Sequence, residues 1–184
     1  MRTLFAFLLL AGTVSFFTSC EKDDPEIPHE EELITTLNYT LTDPNGETVT
    51  LTFQDIDGDG GNSPTITNGT LSSNTTYSGS IELLNESEDP IEDLTSEIRE
   101  EANDHQFFFT SSAGNITVAY DDTDDNGNPV GLETTLTTSD AGSGSLTVIL
   151  RHEPEKSNYD VNTNDYSNVG GETDIEVVFP INVQ

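Results

Sequence analysis

The sequence predicts an all-β fold: an antiparallel β-sandwich of the immunoglobulin or fibronectin-III type with one short helical crossover. Three observations predict it. From Glu32 onward, apolar residues alternate with period two in short runs rich in Thr, Val, Ile and Tyr. Clusters of Asp, Asn, Gly and Pro separate the runs about every ten residues, where turns are needed. Residues 32–184 hold seven to nine such runs, the strand count of a sandwich. A barrel of lipocalin size fits the same pattern. No repeat of fixed period is present.

The elements follow in order. Leu33, Thr35, Leu37, Tyr39 and Leu41 share one face of a first strand, and Val49, Leu51 and Phe53 share one face of a second. Asp43-Pro44-Asn45-Gly46 between them is a tight turn, so the pair forms a hairpin. Asp55 to Pro64 is a loop rich in glycine and acids, and strands are expected near 65–71 and 77–84. Residues 91–103 break the rhythm: Ile91, Leu94 and Ile98 are spaced for a short helix between strands. His105 to Thr110, with Phe107, Phe108 and Phe109, is expected as a strand covered on both faces. Strands are expected at Asn115 to Tyr120, Val130 to Thr137 and 145–152, then a long polar loop at 153–171. Asp174 to Val183 closes the set, with Pro180 pointing to an edge or a bulge.

Ahead of this domain stand two other segments. Residues 1–19 have an export signal's layout: Arg2, the apolar run Leu4 to Ala11, then Phe17-Thr18-Ser19 before Cys20, the one cysteine. The run is too short and interrupted for a membrane span of about 20 residues. Residues 20–31 are acidic and contain Pro25 and Pro28, as an extended tether does.

Thr18-Ser19-Cys20 resembles the lipobox of bacterial lipoproteins, in the loose form of the Bacteroidota. Glu21-Lys22-Asp23-Asp24 is similar to the tag that directs such proteins to the outer face of the outer membrane. The resemblance implies cleavage before Cys20, lipid on its sulfur and a cell-surface address.

The whole chain carries 5 Lys+Arg against 35 Asp+Glu, a formal net charge of −30. This excludes nucleic-acid binding, which needs clustered basic residues against phosphates. It also leaves acyl chains, not a polybasic patch, to hold a membrane. No nucleophile elbow, phosphate loop or His-Glu-x-x-His motif appears, and lipid consumes the cysteine, so the sequence points away from an enzyme.

Two groups of residues are candidate cation sites. His105 opens one strand and His152 closes another. If those strands are antiparallel neighbours, the imidazoles meet at one sheet end with Glu101, Asp104 and Glu153 near in sequence. Two histidines and a carboxylate suit zinc. Rim histidines bonded to backbone or water satisfy the same sequence. Asp55, Asp57 and Asp59, each followed closely by glycine, start as a calcium loop does. Asp121 to Gly127 offers a similar pattern. A solvated acidic turn is the alternative for both.

Six further segments resemble small, uncharacterised outer-membrane lipoproteins of the Bacteroidota. These are Glu32 to Leu37, Asp57 to Asn62, Leu83 to Glu86, Asp104 to Phe109, Leu150 to Pro154 and Gly170 to Ile175. The resemblance implies a lipid-anchored, β-rich binding module, loosely associated with TonB-dependent outer-membrane receptors. Its expected role is capture of a divalent metal or small ligand. The alternative is a structural or adhesive module stabilised by calcium.

Overall fold

The predicted hairpin opens the domain in the computed structural model, which describes residues 33–58, 61–113 and 115–184. The signal segment, Cys20, the tether and Asp59 lie outside the described residues. Strand β1 (Thr36–Thr42) pairs with β2 (Thr48–Gln54) from Thr36↔Gln54 to Thr42↔Thr48. At the turn, Asp43 Oδ1 accepts the backbone N–H groups of Asn45 and Glu47 at 2.8 and 2.9 Å. Gly46 supplies the φ of +88° that the turn needs. The same turn recurs at Asp124, whose Oδ1 accepts Asn126 and Asn128 N–H at 2.9 and 2.8 Å, with Gly127 at φ +85°.

The remaining strands are β3 (Thr65–Ile66), β4 (Gly69–Leu71), β5 (Thr76–Asn85), β6 (Glu92–Asp93), β7 (His105–Ser111), β8 (Ile116–Tyr120), β9 (Glu133–Thr138), β10 (Gly142–His152) and β11 (Glu172–Val183). They form two sheets, β3-β2-β1-β5-β9-β8 with β6 beside β5, and β4-β11-β10-β7. All pairings are antiparallel except β11 with β4. Two separate sheets make this a sandwich of immunoglobulin-like type and not a closed barrel.

The crossover is helix α1 (Leu94–Glu100). It is shorter than the 91–103 its spacing predicts. Glu92 and Asp93 pair first with β5, and the Asp93 carboxylate then caps the helix by accepting Thr95 N–H at 3.0 Å. Leu94 and Ile98 face the core, while Ile91 is exposed.

Two other expectations are corrected. The strand near 65–71 is two strands on different sheets: Ile66 stays exposed on the first, and Leu71 enters the core from the second. Strand β11 lies inside its sheet although it carries Pro180. The reason is local, since β4 flanks only Ile181 to Val183, leaving Pro180 no partner on that side.

Leu37, Tyr39, Leu41 and Leu51 of the first sheet meet Phe107, Phe109, Leu146 and Phe179 of the second in one buried cluster. The Phe109 ring lies 5.7 Å from that of Tyr39 and 5.8 Å from that of Tyr120, bridging the layers. Phe108 points the other way, as double coverage requires. It is buried with Ile149 and Val169 beneath Tyr159 and Tyr166. The segment 153–171 is therefore a cover over the second sheet, not simply a polar loop.

The outer face of the first sheet has a regular composition. Register places Thr48, Thr42, Ser78 and Thr135 in one row across the strands. Thr50, Thr40, Ser80 and Glu133 form the next, and Thr76, Thr137 and Thr117 a third.

Candidate functional site

Strands β1 and β11 begin at the same end of the sandwich, where β10 ends. There the chain leaves a cleft of about 470 Å³. Ile34, Phe53 and Ile175 supply its apolar lining, with Leu33 more exposed. Asp55, Glu172, Asp174 and Glu176 supply carboxylates, and His152 an imidazole. Along β11 the register slips at Asp174, between Thr173 and Ile175, so Glu172 shares the face of its partner His152 while Glu176 shares the opposite face with Ile149.

The structure joins parts of both candidate sites here. His152 from the zinc-like group and Asp55 from the calcium-like group line the same cleft. Strands β7 and β10 are antiparallel neighbours, and His105 is the register partner of His152. The imidazoles stack at 4.6 Å between centroids with 19° between planes. Ring lone pairs lie in the ring planes, so near-parallel stacking does not aim them at a shared ion. His105 is fully buried, and its Nδ1 lies 3.2 Å from the Glu101 carbonyl oxygen. Asp104 and Glu153 meet through main chain, with Glu153 N–H donating to Asp104 O at 2.6 Å, while both residues remain exposed. Gly171 closes this corner with φ +75°; a Cβ there would stand 2.4 Å from His152 O.

Asp57 serves its own loop. Its Oδ2 accepts Asn62 N–H at 3.0 Å and Asn62 Nδ2–H at 2.7 Å. Those bonds, with the neighbouring Asp55, hold its carboxyl below the usual range. The Asp121–Gly127 turn is likewise occupied by protein donors. Asp122 accepts N–H groups from Gly131, Leu132 and Glu133 at 2.7, 2.9 and 3.1 Å. Asp121 accepts the Thr135 hydroxyl at 2.7 Å. Among the described residues, no three or more His, Asp or Glu side chains gather as a metal-binding group.

A polar contact that the sequence reading missed lies behind this end. Lys156 Nζ donates to Asp124 Oδ2 at 3.2 Å, the two side chains being 4% and 0% exposed. Lys156 also donates to the Ala102 carbonyl. Burial presses Lys156 below its ordinary value, and Asp124 opposes that shift. Burial tends to raise Asp124, but Asn128 and Lys156 outweigh it and hold the carboxyl low. One signal was available in the sequence: Lys156 is one of three basic residues in 32–184, with Arg99 and Arg151.

The fold and site together define an acidic, immunoglobulin-like β-sandwich with a carboxylate-lined cleft at one end. No family model matches the chain, and no curated protein matches it. Among solved structures, domains 4 and 5 of the S-layer protein SbsC align with 76% of this chain at 15% identity and a TM-score of 0.32. The chain spans 59% of that structure's length. Nothing about this chain follows from a likeness that loose.

Proposed function

We propose that the chain is a lipid-anchored module of the cell envelope that acts structurally or adhesively, as a stiff non-catalytic spacer. The placement of the domain's two ends carries this reading. Leu33 lies at the cleft end. Strand β11 starts at that end and runs 12 residues away from it, roughly 40 Å at strand rise. Eleven register pairs hold β11 to β10 along that length. Force applied between residues 33 and 184 therefore loads long ladders along their strands. Single-molecule pulling from these ends is expected to give one cooperative rupture at a high force typical of sheared strands. Stepwise peeling at low force would refute the spacer role.

The anchor is read from Cys20. Cells fed an alkynyl fatty acid should label the wild-type protein and leave Cys20→Ser unlabelled and released from membranes. Equal labelling of both would remove the anchor from this proposal.

A second reading is loose cation association: His152 and four carboxylates line the cleft without converging on one point. Millimolar calcium should then raise the melting temperature, since a ligand that binds the folded state stabilises it. The paired substitution Glu172→Gln with Glu176→Gln should blunt the rise. A midpoint unmoved by calcium or zinc eliminates capture at this cleft.

A further inference from the structure

Strand β11 is paired along its whole length on one side only. Its register pairs with β10 run from Glu172 to Val183. On the other side, β4 flanks only Ile181 to Val183. The chain ahead of β4 belongs to the first sheet, where Thr65 and Ile66 pair with Gln54 and Phe53. From Glu172 to Val178, β11 is therefore an open sheet edge among the described residues.

The far end of the strand shows which groups face that edge. Gln184 N–H donates to Leu71 O at 2.9 Å, and Gln184 O accepts Ser73 N–H at 2.8 Å. The direction of main-chain N–H and C=O groups alternates along a strand. Those of Val178 and Glu176 thus point the same way, and no described residue bonds them. The cleft follows this edge. Consecutive residues from Glu172 to Glu176 line one of its walls, which the two faces of a strand do together only along its edge. Ile34, Phe53 and Asp55 line it from the first sheet.

We infer that this edge receives an extended basic peptide as an added strand. A strand edge recognises another main chain: its N–H and C=O groups supply affinity, and the flanking side chains supply selectivity. Here the flanking side chains are acids. Glu172 lies on the face of His152 and Glu176 on the opposite face. Lysine or arginine on either side of the added strand therefore meets a carboxylate across the pairing. Charge selects against an acidic peptide. It also selects against a second copy of this chain, which carries a net charge of −30 and would bring the same acids to the edge. This peptide is the cation of the second reading above, on which its assignment rests.

The experiment is fluorescence anisotropy of a labelled peptide alternating lysine and valine, titrated with the full chain in neutral detergent, physiological salt and EDTA. Saturable binding is expected. The same peptide methylated on alternate main-chain nitrogens keeps every charge but loses donors, and should bind about tenfold more weakly. Val178→Pro removes an outward N–H and leaves the β10 ladder intact. It should weaken binding by the same factor while melting at a similar temperature. If Val178→Pro fails to fold, Glu172→Gln with Glu176→Gln replaces it, with the same expected loss. Overturning results are no saturable binding, equal binding of the methylated peptide, which marks diffuse charge attraction, or undiminished binding by whichever variant folds. Dimerisation of Glu172→Gln with Glu176→Gln, when the wild type binds no peptide, assigns the acids to guarding the edge and also overturns it. A calcium-dependent rise in melting temperature beside any of these results leaves loose cation association standing, so the two fail separately.

Discussion

Lys156→Ala is expected to destabilise the domain by about 3 kcal/mol, because removing one member of a buried ion pair strands the other. Asp124 would keep its bonds from Asn126 and Asn128, which places the effect at the low end of the usual range. For a domain of this size, the melting temperature should drop by about 6–12 °C. The lysine joins the 153–171 cover, the Asp124 turn and the Ala102 carbonyl beyond α1, so the cover should also become protease-sensitive. Urea denaturation checks the stability and limited proteolysis checks the cover. A loss under about 1 kcal/mol would show that the pair is not a structural clamp.

The same pair sets an acid limit. Asp124 is held below the ordinary carboxylate value in the folded state by its bonds from Asn128 and Lys156. A depressed carboxyl contributes stability that is complete above the unfolded value and disappears as pH falls through the folded one. Unfolding free energy should therefore fall below about pH 4, and Asp124→Asn should flatten that fall while lowering stability at neutral pH.

Phe109→Ala is expected to cost about 3–5 kcal/mol, the range for truncating a buried aromatic. Phe109 contacts Tyr39 and Tyr120 of the opposite sheet and Phe107 on its own strand. Its loss therefore opens a cavity between the layers and does not just thin one of them. Tyr39, buried and hydrogen-bonded to Thr134 at 2.7 Å, has little freedom to refill the space. Chemical denaturation should show a lower midpoint with an unchanged slope. An effect no larger than that of Ile66→Ala, an edge position that is 39% exposed, would contradict the packing described.

Much of this was legible from local pattern. The β1–β2 hairpin, the inward faces of Leu37, Tyr39 and Leu41, the double coverage of the 107–109 strand and the β7–β10 neighbourhood all appear in the structure. The meeting of His105 and His152 followed from strand order. Their stacking did not, because ring orientation depends on packing around both residues. The calcium-like spacing of Asp, Asn and Gly is shared by turns whose carboxylates bind backbone N–H groups, as at Asp43 and Asp124. Spacing alone does not separate those two uses. The cleft carboxylates Glu172, Asp174 and Glu176 went unnoticed because nothing near them in sequence marks the cleft wall formed by β1 and the Asp55 loop.

By itself, the sequence determined which segments extend, which side of each strand is apolar and where the chain turns. Those properties arise from side-chain alternation and backbone preference within a few residues. Only the tertiary structure decided that Asp55 and His152 share one cleft, that Lys156 is buried on Asp124, and that threonines of five strands align into rows. Each of those outcomes depends on register between strands distant in the chain, which burial of the common core sets once for all of them.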